Sequence, residues 1–101
     1  MKGKVMLEKE IERKLNRAAK ARGGLSMKFV SPGMSGVPDR ILLMPGGKAA
    51  FVELKAPGGL PRPLQDFRLR QLSDLGFITA VIDDPKKIGP LMDLLCGHPH
   101  R

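Results

Sequence analysis

The chain has no tryptophan and no tyrosine, and aromatic residues make up only 4% of its 101 positions. That scarcity argues against a row of rings stacking on successive bases, the usual device of single-strand-binding modules. The interior must instead be aliphatic, built from Leu, Ile, Val and Met with four Phe. Cys96 is the single cysteine, so no internal disulfide can form and nothing points to an oxidising compartment. Met1-Lys2-Gly3-Lys4 leads into a charged segment without the apolar region of a secretory signal. No run approaches the roughly 18 apolar residues of a membrane span. These absences predict an intracellular, cytoplasmic protein, acting in the host cytoplasm if it is viral.

What is present suits one compact domain over residues 1–101, with 97–101 expected to form a disordered tail. Apolar residues reach 42%, enough for a core. Eighteen Lys and Arg against ten Asp and Glu leave a net charge of +8. The excess is uneven, because residues 1–28 hold nine basic and three acidic side chains. Such a field favours a polyanionic partner through counterion release. The plainer reading of the same charge is a soluble basic protein.

Leu7, Ile11, Leu15 and Ala18 repeat at helical spacing and predict a helix over 5–22, stopped by Gly23-Gly24. A strand is expected at about 25–31, where Leu25, Met27 and Phe29 alternate with Ser26 and Lys28. After the breaker-rich loop 31–38, two apolar runs, Arg40–Met44 and Ala49–Lys55, flank Pro45-Gly46-Gly47 and read as a hairpin. A second helix is expected at 64–75, with Leu64, Phe67, Leu72 and Leu75 as its buried stripe and Gly76 as its cap. Ile78–Ile82 reads as a buried strand. Asp84-Pro85 opens a last helix, which Gly89-Pro90 breaks or delays. The order α-β-β-β-α-β-α predicts an α/β fold, a mixed sheet flanked by helices.

The chemistry concentrates in Pro38-Asp39, thirteen intervening residues, then Glu53-Leu54-Lys55. Side chains two apart on a strand share a face, so Glu53 and Lys55 point the same way, and burying them is costly without partners. A two-residue Gly46-Gly47 turn would set Asp39 opposite Leu54. A three-residue Pro45-Gly46-Gly47 loop pairs Met44 with Lys48 and sets Asp39 opposite Glu53. We expect the longer loop, or a bulge restoring the same register, since Pro suits the first turn position and Gly a positive φ. Two converging carboxylates would suit a hard cation.

Gly36-Val37-Pro38-Asp39 followed by Phe51-Val52-Glu53-Leu54-Lys55 resembles the PD-(D/E)xK nuclease superfamily, and within it the virus-type replication-repair nuclease (VRR-NUC) domain. The resemblance covers about residues 8–83. It implies a restriction-endonuclease-like core and a Mg²⁺- or Mn²⁺-dependent endodeoxyribonuclease. Asp39 and Glu53 would hold the metal with the Leu54 carbonyl, Lys55 would orient water or stabilise charge on the phosphate, and Gln65 would hold water or metal. Glu8 matches the first-helix glutamate of the family, with Glu12 as its rival. The family also implies homodimers and structured DNA substrates, four-way (Holliday) junctions among them, as in phage members.

Each residue has a plainer reading. Glu53 and Lys55 could form a surface ion pair, Glu8 or Glu12 an i,i+4 helix pair, and Gln65 a polar first-turn residue. Gly33 and Gly36 match no phosphate-binding fingerprint and read as turn residues that let DNA approach. Cys96, His98 and His100 are better taken as a tail than as a metal cluster. Arg62, Arg68 and Arg70 are expected to contact phosphates. Lys9, Arg13 and Lys20, with Lys2, Lys4 and Arg17, form a further candidate track. The rival functions are a non-catalytic basic DNA-binding module and a ribonucleoprotein component.

Overall fold

The computed structural model describes residues 7–97; the tail at 98–101, the first turn expected at 5–6, and Lys2, Lys4, His98 and His100 lie outside them. Within that span the order is α1 (Glu8–Ala21), β1 (Leu25–Lys28), β2 (Arg40–Met44), β3 (Lys48–Leu54), α2 (Pro63–Asp74), β4 (Ile78–Ile82), a 3-10 turn (Pro85–Lys87) and α3 (Ile88–Cys96). The sheet runs β1-β2-β3-β4, antiparallel at the first two ladders and parallel at β3–β4. Parallel strands need a crossover, and α2 supplies it.

The hairpin decides the register. Met44 pairs with Lys48 and Arg40 with Val52, leaving Pro45-Gly46-Gly47 as the three-residue connection. Gly46 and Gly47 both sit at positive φ (85° and 75°), which side chains with a Cβ adopt only at a cost. One step beyond the ladder, Asp39 falls opposite Glu53.

One sheet face carries the core. Leu42, Met44, Ala50, Val52, Leu54 and Ile82 meet Ile11, Leu15 and Ala19 of α1 and Ile88, Leu91, Met92 and Leu95 of α3. Alternation along β2 and β3 puts these residues on the helix side. The two helices touch one another over this face.

Several expectations need correction. β1 ends at Lys28, and its apolar side faces outward: Leu25 is 60% and Met27 42% exposed. Ser26 faces the helices instead, where its hydroxyl and carbonyl accept from Arg40. In α1, Ala19 rather than Ala18 completes the buried line, and Leu7 is exposed at the helix start. Leu69 alone is buried in α2, whereas Leu64, Phe67 and Leu75 are exposed. That helix rests along β4 and carries apolar residues on more than one side, so periodicity cannot select its contact line. β4 is an edge strand, and only Ile82 in it is fully buried. α3 starts at Ile88, after a 3-10 turn in which Asp84 Oδ1 accepts from Lys86 N at 2.9 Å.

Candidate active site

Strand β3 delivers Glu53 and Lys55 to one side, while Val52 and Leu54 turn into the core. Lys55 Nζ lies 3.3 Å from Glu53 Oε2. Glu53 is only 1% exposed, and its other carboxylate oxygen, Oε1, is buried without a hydrogen-bond partner. An orphaned carboxylate oxygen in the interior is costly. Burial pushes the Glu53 carboxyl above its ordinary value, the nearby Asp39 charge adds to this, and Lys55 opposes it.

Asp39 is held from both sides. Its carbonyl accepts from Phe29 N at 2.8 Å, and its Oδ2 accepts from Leu54 N at 2.9 Å. The second bond ties the end of β2 to the third residue of the motif, so the carboxylate sits at the ladder's end beside Glu53. Asp39 and Leu54 line a cleft of about 290 Å³ with Glu8, Glu12, Lys28, Phe29, Val30 and Arg40.

The two helical glutamates have different surroundings. Glu12 Oε2 lies 2.5 Å from Arg40 Nη1, and the same guanidinium donates to Asn16 Oδ1 at 3.1 Å and to Ser26. Glu8 is exposed on the same cleft, one helical turn away. Sequence reasoning missed Arg40, although an Arg within an apolar strand run was a signal that a buried charge needed partners.

The other candidates lie further out. Gln65 Oε1 accepts from Arg62 N at 2.8 Å as the third residue of α2, and it borders a different groove from Asp39. Arg68 Nε donates to the Ser35 carbonyl at 2.8 Å and its guanidinium lies over the Phe67 ring. Arg70 pairs with Asp66 at 2.8 Å. Arg62, Lys9, Arg13 and Lys20 are exposed, and none of them lines the Asp39 cleft. Gly36 does not serve an open approach: a Cβ there would lie 2.6 Å from Leu64 Cγ, so it lets the loop pack on α2.

Among the described residues no three His, Cys, Asp or Glu side chains converge as a metal cage. The donor set near the ladder's end is therefore Asp39, Glu53 and backbone carbonyl oxygen. It is all oxygen and carries an unsatisfied buried carboxylate oxygen, which fits a hard divalent ion that retains water.

An α-β-β-β-α-β core with an acidic pair and a lysine at the open end of the β2–β3 hairpin, away from its turn, defines the PD-(D/E)xK class. No family model matches the chain. A phage protein described as "Putative nuclease p44", from Acyrthosiphon pisum secondary endosymbiont phage 1, is 44% identical over 80 residues, covering 79% of this chain and 86% of its own. A solved structure described as a VRR_NUC domain superposes with a TM-score of 0.79 at 28% identity, covering 85% of this chain and 94% of that one. The chain belongs to the VRR-NUC family of nucleases.

Proposed function

We propose that this protein is a Mg²⁺- or Mn²⁺-dependent endodeoxyribonuclease acting on structured DNA, four-way junctions among its substrates. The carrying observation is Asp39 bonded to the Leu54 amide, beside a buried Glu53 with one unpartnered oxygen and one oxygen on Lys55. Asp39 and Glu53 would hold the cation, with the Leu54 carbonyl as a third protein donor and Glu8 across the cleft. Such an ion supplies Lewis-acid polarisation of the scissile phosphate and a lowered pKa for the attacking water.

The chain's own groups do the rest. The Leu54 N–H fixes the Asp39 carboxylate. Lys55, partly open to solvent, brings an ammonium group to the place where phosphate charge grows. Gln65 caps its own helix on the neighbouring groove, and Arg62, Arg68 and Arg70 with Lys9, Arg13 and Lys20 track the DNA backbone. A cation-activated water can attack the phosphate directly, so hydrolysis proceeds in one step without a covalent enzyme intermediate.

Two copies pair through the outer sheet face, where Leu25, Met27, Leu43 and Phe77 are 41–60% exposed. Exposed apolar patches of this kind mark interaction surfaces, and paired sites suit paired cuts. Incubation with linear, nicked, flapped and four-way DNA tests the reading. Cleavage should need Mn²⁺ or Mg²⁺, stop with EDTA, and vanish in D39N and E53Q while DNA binding persists. Binding without cleavage under every metal condition would leave the non-catalytic DNA-binding module.

A further inference from the structure

A second concavity adjoins the cleft that holds Asp39. It measures about 440 Å³, lies between the 31–37 loop and the start of α2, and shares Phe29 and Val30 with the Asp39 cleft. That size falls within the roughly 300–1,000 Å³ range of small-ligand sites. Its apolar surface is open to water: Val30 is 68%, Met34 45% and Leu64 44% exposed. Its rim is polar, with Arg62 and Gln65 at the head of α2, where the first N–H groups have no preceding carbonyl to pair with.

The groove is built rather than left over from a loose loop. Gly36, at φ +81°, seats against Leu64 so closely that a Cβ would meet its Cγ at 2.6 Å. Arg68 Nε pins the Ser35 carbonyl at 2.8 Å. The Phe29 N–H, bonded to the Asp39 carbonyl, joins the wall of this groove directly to the acidic site.

We propose that this groove is a nucleoside subsite, holding an unpaired base within two nucleotides of the scissile phosphate. The inference rests on the nuclease reading above and names what the enzyme grips beside the bond it cuts. Three features select this occupant. An apolar floor accepts a base face, the Arg62 rim accepts the adjoining phosphate, and the groove continues into the metal cleft. A base inside a duplex is stacked on both sides and cannot enter; an unstacked base can. The subsite thereby gives preference to DNA with single-strand character next to the cut.

An abasic scan tests this. A single abasic residue is placed at successive positions on either side of the cut in a flapped substrate, and kcat/KM is measured for each. Wild type should lose about tenfold at one position within two nucleotides of the cut, the scale of a lost apolar pocket contact. The M34S variant changes one exposed residue of the groove that does not line the Asp39 cleft, and it should keep its thermal stability. It should cut intact DNA about tenfold less well and no longer distinguish the abasic substrate. Parallel anisotropy titrations in EDTA compare intact and abasic DNA without any cleavage. Cleavage that ignores the abasic residue at every position overturns the subsite and leaves the nuclease; so does equal sensitivity in the variant. Abasic-sensitive binding by a protein that cuts nothing overturns the nuclease and leaves the subsite.

Discussion

Arg40 Nη1 and Glu12 Oε2 lie 2.5 Å apart, and they join the second strand to the first helix beside the residue that opens the acidic motif. The Arg40 side chain is 9% exposed and also bonds Asn16 and Ser26, so three elements meet on one guanidinium. A planar fork with five donors can do this, whereas an ammonium cannot. Arg40 directly follows Asp39, so the clamp also fixes the backbone that presents the Asp39 carboxylate.

Arg40→Met should therefore cost about 1–3 kcal/mol in urea denaturation, since it removes the bonds to Glu12, Asn16 and Ser26 and leaves the Ser26 carbonyl without this partner. Arg40→Lys should fall between this variant and wild type. A loss below about 1 kcal/mol for the methionine variant would show that the clamp adds nothing to the fold.

Glu53 links function to stability. Its carboxyl is raised by burial and by Asp39, so the metal-free folded state holds a proton more tightly than the unfolded chain. Stability from this group is fully present below the ordinary value of 4.5 and is lost as pH rises through the raised folded value. Glu53→Gln should remove that decline and raise the melting temperature in EDTA at pH 7, by roughly 4–8 °C for each kcal/mol regained. The same variant should not cleave. An unchanged or lower melting temperature would mean that Lys55 already offsets the burial cost.

The same shift sets a sign for metal binding. A cation competes with the Glu53 proton, so Mn²⁺ affinity measured by calorimetry should weaken as pH falls through the raised range toward 4.5, with proton uptake by the protein on release of the ion. Affinity that is flat across this range would place the ion elsewhere.

Glu8 and Glu12 should separate cleanly. Glu8→Gln removes an exposed carboxylate from the cleft and should lower cleavage at least about tenfold, with stability within about 0.5 kcal/mol of wild type. Glu12→Ala should lower stability and cleavage together because it unpairs Arg40. If the two variants exchanged these phenotypes, the assignment of the helical acid would reverse.

Gly36→Ala combines a positive φ of 81° with a Cβ 2.6 Å from Leu64 Cγ. Thermal or urea denaturation should register a loss of about 1–3 kcal/mol. Gly33→Ala, with open space around it, should cost much less.

Much of this protein was legible along the chain because the governing relations are local. Two-residue alternation puts Glu53 and Lys55 together, Pro45-Gly46-Gly47 sets a three-residue turn, and that turn with the thirteen-residue gap brings Asp39 opposite Glu53. Gly76, at φ 100°, ends the second helix as its position implied. The order of elements follows from breakers and periodicity in the same way.

Tertiary structure decided what depends on which surfaces meet. β1 and α2 are apolar on sides that remain exposed, because α1 and α3 cover the opposite sheet face and α2 packs mainly along β4 and the 31–37 loop. The rotation of α1 gave Glu12 to Arg40 and left Glu8 on the cleft, a choice that two glutamates one turn apart cannot reveal. Gln65 came to cap its own helix, and Gly36 came to seat Leu64. Periodicity specifies which side chains share a face; only packing specifies what that face touches.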